Sequence, residues 1–219
     1  MNNRQAYLFD LDGVIVDTAR FHYLAWKRLA NQLGFEFSES QNEALKGISR
    51  MDSLEIVLKA GHVTLSPEEK LKYASEKNTW YLELCSRMTP GDILPGVLSF
   101  IQEAKRDGIL IGLGSASKNA GTILKSLEIT GYFDTIVDGN RIRNSKPDPE
   151  VFLTGAADLG VKAENCIVFE DAAAGIEAAR RAGMKAVGVG DPAILHEADF
   201  IIPGFEGISP GNLTSFFYR

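Results

Sequence analysis

The sequence predicts an α/β protein: a doubly wound parallel sheet with a small all-helical module inserted after its first strand. Three observations carry this. Short apolar runs alternate with helical segments from residue 94 to the end, a stretch of helices without strands follows residue 18, and three of the apolar runs lead directly into polar residues suited to chemistry. Strand and helix alternating through right-handed crossovers give a parallel sheet covered on both faces.

The first strand is Ala6-Tyr7-Leu8-Phe9, a continuous apolar run too short for an amphipathic helix and suited to a strand buried on both faces. After Thr18 the pattern changes. Phe21, Leu24, Ala25, Leu29 and Leu33 recur near helical spacing, and Gly34 stops the segment. Further helices are expected over residues 40–45, 50–60 and 67–85. The last opens with Ser66-Pro67-Glu68-Glu69, in which Ser66 caps, Pro67 takes the first turn and Glu69 completes a capping box. From Leu94-Pro95-Gly96 onward, strands are expected at residues 110–113, 136–138, 166–169, 186–189 and 200–202, with helices between them. The Gly-rich tail, residues 205–219, ends in Phe216-Phe217-Tyr218 and is expected to pack on the core as a last helix. Residues 1–17 and 88–219 thus form the α/β core, and residues 18–87 the helical module. Two linkers, residues 18–21 and 85–92, would allow hinge closure.

Composition narrows the function classes. A chain of 219 residues, 24% charged and 45% hydrophobic, is an ordinary globular protein of one large domain or a core with a smaller module. A net charge of -6, without a basic patch, disfavours nucleic acid and anionic membranes as partners. The polar opening Met1-Asn2-Asn3-Arg4-Gln5 gives no secretory signal, and no apolar run approaches the ~20 residues of a membrane span. Two cysteines, Cys85 and Cys166, fall in different modules and are expected to be reduced, buried thiols in a cytoplasmic protein.

The chemistry is concentrated in Phe9-Asp10-Leu11-Asp12-Gly13-Val14-Ile15-Val16-Asp17-Thr18. Asp10 stands at the carboxyl end of the first strand, where open α/β sheets bind ligands. A carboxylate there can attack phosphorus and form an acyl phosphate. Asp12, in the turn that Gly13 permits, supplies a second carboxyl as general acid and base.

This string and three later segments resemble the haloacid dehalogenase superfamily of phosphohydrolases and phosphomutases, over the whole chain. Ser115, after the run Ile109-Leu110-Ile111-Gly112-Leu113-Gly114, resembles the family's second motif, a hydroxyl that donates to a phosphoryl oxygen. Lys146, in Ser145-Lys146-Pro147-Asp148-Pro149, resembles the third, whose ammonium offsets charge on the phosphoryl group and nucleophile. Glu170 and Asp171, after Cys166-Ile167-Val168-Phe169, resemble the acidic fourth motif. Negative charge also suits the N-terminus of the helical run that follows them. The resemblance implies Mg²⁺, with Asp10, Asp12, Glu170 and Asp171 as its ligand set, and makes the helical insert a cap over the site.

Within that superfamily the pattern narrows toward the phosphomutases of β-glucose phosphates. It is visible in His22-x-x-x-Trp26-Lys27, in Leu45-Lys46-Gly47-Ile48-Ser49-Arg50-x-Asp52-Ser53, in Lys77-Asn78 and in Gly114-Ser115-Ala116-Ser117-Lys118-Asn119. A mutase must bind a bisphosphate in two orientations and needs a second anion site away from Asp10. Arg50 suits it, because guanidinium binds phosphate bidentately. The resemblance adds Ser117 and Asn119 around the distal phosphate, beside Ala116; the same two residues also suit the capping of a helix beginning near Lys118. Lys77 would contact the sugar or a phosphate oxygen. Thr18 and His22 would support Asp12, and Trp26, Leu45, Gly47 and Ser53 would shape the sugar pocket.

The implied reaction interconverts β-D-glucose 1-phosphate and β-D-glucose 6-phosphate through β-glucose 1,6-bisphosphate, in a monomer whose partner is a small sugar phosphate. A sugar-phosphate phosphatase of the same superfamily shares every core motif. A non-catalytic phosphosugar-binding protein would keep the fold but lose a catalytic carboxylate or lysine, and this chain has lost neither.

Overall fold

In the computed structural model, residues 4–46 and 48–217 are described. The chain opens with β1 (Ala6–Phe9) and leaves it for a run of helices: α1 (Ala19–Gln32), α2 (Glu39–Glu43), α3 (Arg50–Ala60) and α4 (Pro67–Cys85). It returns through α5 (Val97–Arg106), β2 (Leu110–Gly114), α6 (Ala120–Ser126), β3 (Thr135–Val137), α7 (Glu150–Leu159) and β4 (Cys166–Glu170). Then follow α8 (Ala173–Arg181), β5 (Lys185–Val189), β6 (Phe200–Ile202) and α9 (Pro210–Phe217). The strands form one six-stranded sheet in the order β3-β2-β1-β4-β5-β6, all pairs parallel, as the alternation of elements predicts.

β1 is central and buried along its length, so its side chains serve two cores. Tyr7 and Phe9 face one side, where Phe9 stacks on Phe169 with centroids 4.7 Å apart and Phe100 and Phe205 close the cluster. Ala6 and Leu8 face the other, against Phe152 of α7 and Ile176 of α8. Burying one such aromatic contributes about 1.5–3 kcal/mol, enough to make the sheet a fixed frame for what its strand ends carry. The helical module has its own apolar cluster, with Trp26, Leu29, Leu54, Val57, Leu58 and Ala74 among its members. The chain crosses between module and sheet twice. The crossings are tied side by side: Leu94 N–H donates to Ile15 O at 2.9 Å, and Val16 bridges Ile93.

Several boundaries differ from the sequence expectation for local reasons. The first linker shrinks, because Thr18 O accepts the His22 N–H at 3.0 Å and residues 19–21 are already the first turn of α1. The second helix begins at Glu39 and ends at Glu43, since Ser38 and Gln41 form a capping box at its start. Leu24 belongs to the exposed face of α1, whose buried residues are Ala25, Trp26, Leu29 and Ala30. β2 and β4 run on to Gly114 and Glu170, and β3 ends at Val137, before Asp138. The capping box of Ser66 and Glu69 is present as expected. In the tail, α9 buries Leu213 while Phe216 packs on Phe200 with centroids 4.8 Å apart; Tyr218 lies outside the described residues. Cys85 and Cys166 are buried and unpaired, and among the described residues no helix is long and apolar enough to cross a membrane.

Candidate active site

Strand register assembles the site. Phe9 is level with Leu113 of β2 and with Phe169 of β4, so Asp10, Gly114 and Glu170 reach the strand ends together, with Ser115 and Asp171 one residue beyond. Asp10 N–H still donates to Phe169 O at 2.9 Å, and Ser115 N–H to Val137 O at 3.0 Å, so both residues are held by the sheet's own ladder. Lys146 enters from the loop between β3 and α7. Its ammonium lies 2.5 Å from Asp10 Oδ1 and 2.5 Å from Glu170 Oε1, with the side chain fully buried. Burial works against that charge, but the two carboxylates outweigh it and hold the ammonium firmly protonated.

The carboxylates have distinct surroundings. Asp10 Oδ2 accepts the Asp12 N–H at 2.9 Å, and Glu170 Oε2 accepts the Ala172 N–H at 3.0 Å, so both Glu170 oxygens are engaged. Asp171 faces Lys46, whose ammonium lies 3.1 Å from Oδ2. Gly13 makes room for Asp171: it adopts φ +82°, and a Cβ there would stand 2.2 Å from Asp171 Oδ2. Gly175 does the same for Glu170, since a Cβ would fall 1.9 Å from Oε1. Carboxylate oxygens of Asp10, Glu170 and Asp171 all lie within 4.8 Å of one another. Buried hard-oxygen donors so close together fit Mg²⁺, which is held by few carboxylates and keeps waters.

The Asp12 carboxyl stands apart from that group. The Thr18 hydroxyl, on the residue that caps α1, donates to its Oδ1. Burial first, then the charges of Asp10 and Asp171, raise its pKa well above the ordinary carboxylate range. A carboxyl with its pKa raised from the ordinary range suits a group that takes and returns a proton.

Burial likewise pushes Asp171 up to about 6 from an ordinary 3.8, and Glu170 to about 8 from 4.5. Both groups hold protons more tightly folded than unfolded. Their contribution to stability is therefore complete below about pH 4 and lost as pH rises through 6 and then 8. Mg²⁺ binds the deprotonated forms and stabilises the folded state increasingly over that range. The increase in melting temperature on adding Mg²⁺ to chelator-treated protein should therefore be larger at pH 8 than at pH 5. An increase of equal size at both pH values would contradict this electrostatic account.

On the other side of the cavity, Arg50 is the first residue of α3, whose start is capped by the Ser49 hydroxyl accepting the Asp52 N–H at 3.3 Å. Beyond β2 a ladder of short contacts shapes the loop through Ala116. The Ser115 hydroxyl accepts Ser117 N–H at 3.1 Å, and the Ser117 hydroxyl accepts Asn119 N–H at 3.2 Å. Asn119 precedes α6 without a side-chain capping bond; its amide instead donates to Asn78 Oδ1 at 2.7 Å, across to the helical module.

Lys77 is buried, its ammonium 4.4 Å above the Trp26 ring and 2.9 Å from His22 Nδ1. Burial, then the nearby Arg50, lowers Lys77 to about 7, and burial, then the Lys77 charge, holds His22 well below its usual range. Lys77 and His22 thus share one hydrogen bond between α4 and α1. The sequence pairs both Thr18 and His22 with Asp12, whereas the structure divides them: Thr18 contacts Asp12, and His22, one turn further along α1, faces α4.

Asp10, Asp12, Ser115, Lys146 and Asp171 line one cavity of about 900 Å³ together with His22, Trp26, Leu45, Arg50, Ser53, Lys77, Ala116, Ser117 and Asn119. Thr18 and Glu170 are fully buried and do not line it; Gly47 lies outside the described residues. The sequence assigns no role to Lys46, Asn78, Lys118 or Arg143, which also line the cavity. Lys46, Lys118 and Asn78 sit inside the matching segments, but only the fold turns them toward it.

Comparison with known proteins agrees with this geometry. The model of the haloacid dehalogenase-like hydrolases matches residues 7–189. A β-phosphoglucomutase of Bacillus subtilis is 46% identical over 90% of this chain and 88% of its own. A phosphorylated carbohydrates phosphatase of Thermotoga maritima is 32% identical over 84% of this chain and 83% of its own. The crystal structure of a β-phosphoglucomutase from Clostridium difficile superposes with a TM-score of 0.95 at 44% identity, covering 98% of this chain and 97% of that one.

Proposed function

The chain belongs to the haloacid dehalogenase-like hydrolases, and from that premise we propose that it is a β-phosphoglucomutase, interconverting β-D-glucose 1-phosphate and β-D-glucose 6-phosphate. The observation that carries the reading is one cavity lined both by a phosphoryl-transfer set, Asp10, Asp12, Ser115 and Lys146, and by a second group of phosphate-binding type, Arg50, Ser117 and Asn119. The identity to β-phosphoglucomutases over most of the chain supports it.

In this reading phosphorylated Asp10 donates its group to the free hydroxyl of the substrate while Asp12 takes the hydroxyl proton, giving β-glucose 1,6-bisphosphate. The bisphosphate turns end for end. The Asp10 carboxylate then attacks the other phosphorus, and Asp12 returns its proton to the departing sugar oxygen. Lys146 and the Ser115 hydroxyl neutralise the transferring phosphoryl in both halves, chiefly by fixed electrostatics. Of the expected set, Asp10, Glu170 and Asp171, whose oxygens lie together, would hold Mg²⁺, with Asp12 beside them in the first motif and Glu170 also keeping Lys146 in place; the ion would supply charge neutralisation to the phosphoryl oxygens. Arg50, Ser117 and Asn119 hold the phosphate that is not reacting, and Lys77 contacts the substrate from its seat on Trp26. Residues 18–87 act as a cap over a core of residues 1–17 and 88–219, and closure keeps water from the acyl phosphate. The enzyme works as a cytoplasmic monomer, in keeping with its two unpaired thiols.

Arg50→Ala tests the distal site. Mutase flux should fall by about 10²-fold or more, the cost of losing a charged bidentate contact in a closed site. Hydrolysis of a small phosphate ester, which has no second phosphate, should change far less. Equal losses in the two assays would remove Arg50 from that role.

A further inference from the structure

Besides the Thr18–Asp12 contact, two polar links among the described residues join the helical module to the sheet domain at the cavity, and each uses a group the proposed chemistry needs. One is Asn119 to Asn78. The other is Lys46 to Asp171, at 3.1 Å. Lys46 stands in the turn between α2 and α3, four residues before Arg50.

The charge balance of the acidic cluster explains the second link. Lys146 answers Asp10 and Glu170 directly, each at 2.5 Å. The remaining carboxylate, Asp171, takes its partner from the other domain. A divalent ion among these oxygens would bring two charges to the Asp171 carboxylate and would repel an ammonium already 3.1 Å away. Lys46 has somewhere else to go, because its ammonium is also 3.1 Å from Glu43 Oε2 in its own module. Release from Asp171 therefore leaves it paired.

We propose that Lys46 is a positioning residue that takes the place of the metal at Asp171 in the metal-free protein, so that Mg²⁺ entry displaces it and unlatches the cap. Metal binding and cap docking are then linked with opposite sign, and the linkage is reciprocal. The metal-loaded enzyme without substrate stands open to receive a sugar phosphate, and the metal-free enzyme is held shut. The inference rests on the assignment of Mg²⁺ to Asp10, Glu170 and Asp171.

Calorimetric titration with Mg²⁺ and small-angle scattering, both without sugar phosphate, test it on the full chain and on Lys46→Met, Lys46→Arg and Lys70→Met. Lys70 pairs with Glu55 in the same module, so Lys70→Met makes the same change of net charge away from the site. Lys46→Met should bind Mg²⁺ at least about 5-fold more tightly than Lys70→Met, the lower range of a coupling between sites. Saturating Mg²⁺ should raise the radius of gyration of the unaltered protein and leave that of Lys46→Met unmoved, while Lys46→Arg should behave as the unaltered protein does. Equal affinities in the two Met variants, or an unaltered protein whose radius ignores Mg²⁺, would overturn the latch. No Mg²⁺ binding in any of the proteins would overturn the metal assignment, and the latch with it.

Discussion

Asp10→Asn should abolish turnover, lowering the mutase rate by at least about 10⁴-fold, the scale on which enzymes respond to loss of a covalent nucleophile. The amide keeps the shape of the carboxyl but is too weak a nucleophile to attack phosphorus. The fold should survive. The substituted side chain would still offer an oxygen to the Asp12 N–H, and Lys146 would keep Glu170 at 2.5 Å. Steady-state assay with circular dichroism on the same sample separates the two effects: a folded, inactive protein is expected. Substantial activity in folded Asp10→Asn would mean that another group accepts the phosphoryl.

Lys146→Ala should damage both stability and catalysis. The side chain is fully buried between Asp10 and Glu170, and its removal leaves two buried carboxylates with no cation between them. Breaking a buried pair by removing one partner costs about 3–5 kcal/mol, much more than an exposed lysine would. Some of that loss should be recovered by protonation at low pH, since burial already favours the neutral form of Glu170. Denaturant titration should therefore find the difference between Lys146→Ala and the unaltered protein smaller at pH 5 than at pH 8. Activity should fall by about 10²–10³-fold even where the variant is folded, because a fixed charge on the transferring group is gone. A variant as stable as the parent at pH 8 would show that Lys146 is not the counter-ion of this cluster.

The sheet and the place of Asp10 at its edge were legible in the pattern of the sequence, whereas Ser115, Lys146, Glu170 and Asp171 were assigned to the reacting end by the family resemblance. Buried parallel strands appear as short apolar runs, and the residues that follow such runs must gather at one edge of the sheet. Asp10, Ser115 and Glu170 lie far apart along the chain, yet the register of β1 with β2 and β4 brings Asp10 level with Glu170 and sets Ser115 one residue beyond. The helical side was less legible. Which residue a helical side chain meets depends on how helices pack, and nothing in the spacing of His22 and Lys77, or of Asn78 and Asn119, announces their contacts. The same is true of Lys46, an ordinary surface lysine by sequence that the fold turns toward Asp171. The motif marks Asp12 as acid and base, and the hydroxyl of Thr18 that holds its Oδ1 emerges only with the fold.

The account turns on whether the phosphoryl group stays with the sugar. The most direct measurement supplies β-glucose 1-phosphate with Mg²⁺ and a trace of β-glucose 1,6-bisphosphate, and follows glucose 6-phosphate and free phosphate in the same sample. Rapid formation of glucose 6-phosphate with little phosphate release is the predicted result. Phosphate release without glucose 6-phosphate would contradict it, and would make Arg50, Ser117 and Asn119 part of a hydrolase pocket.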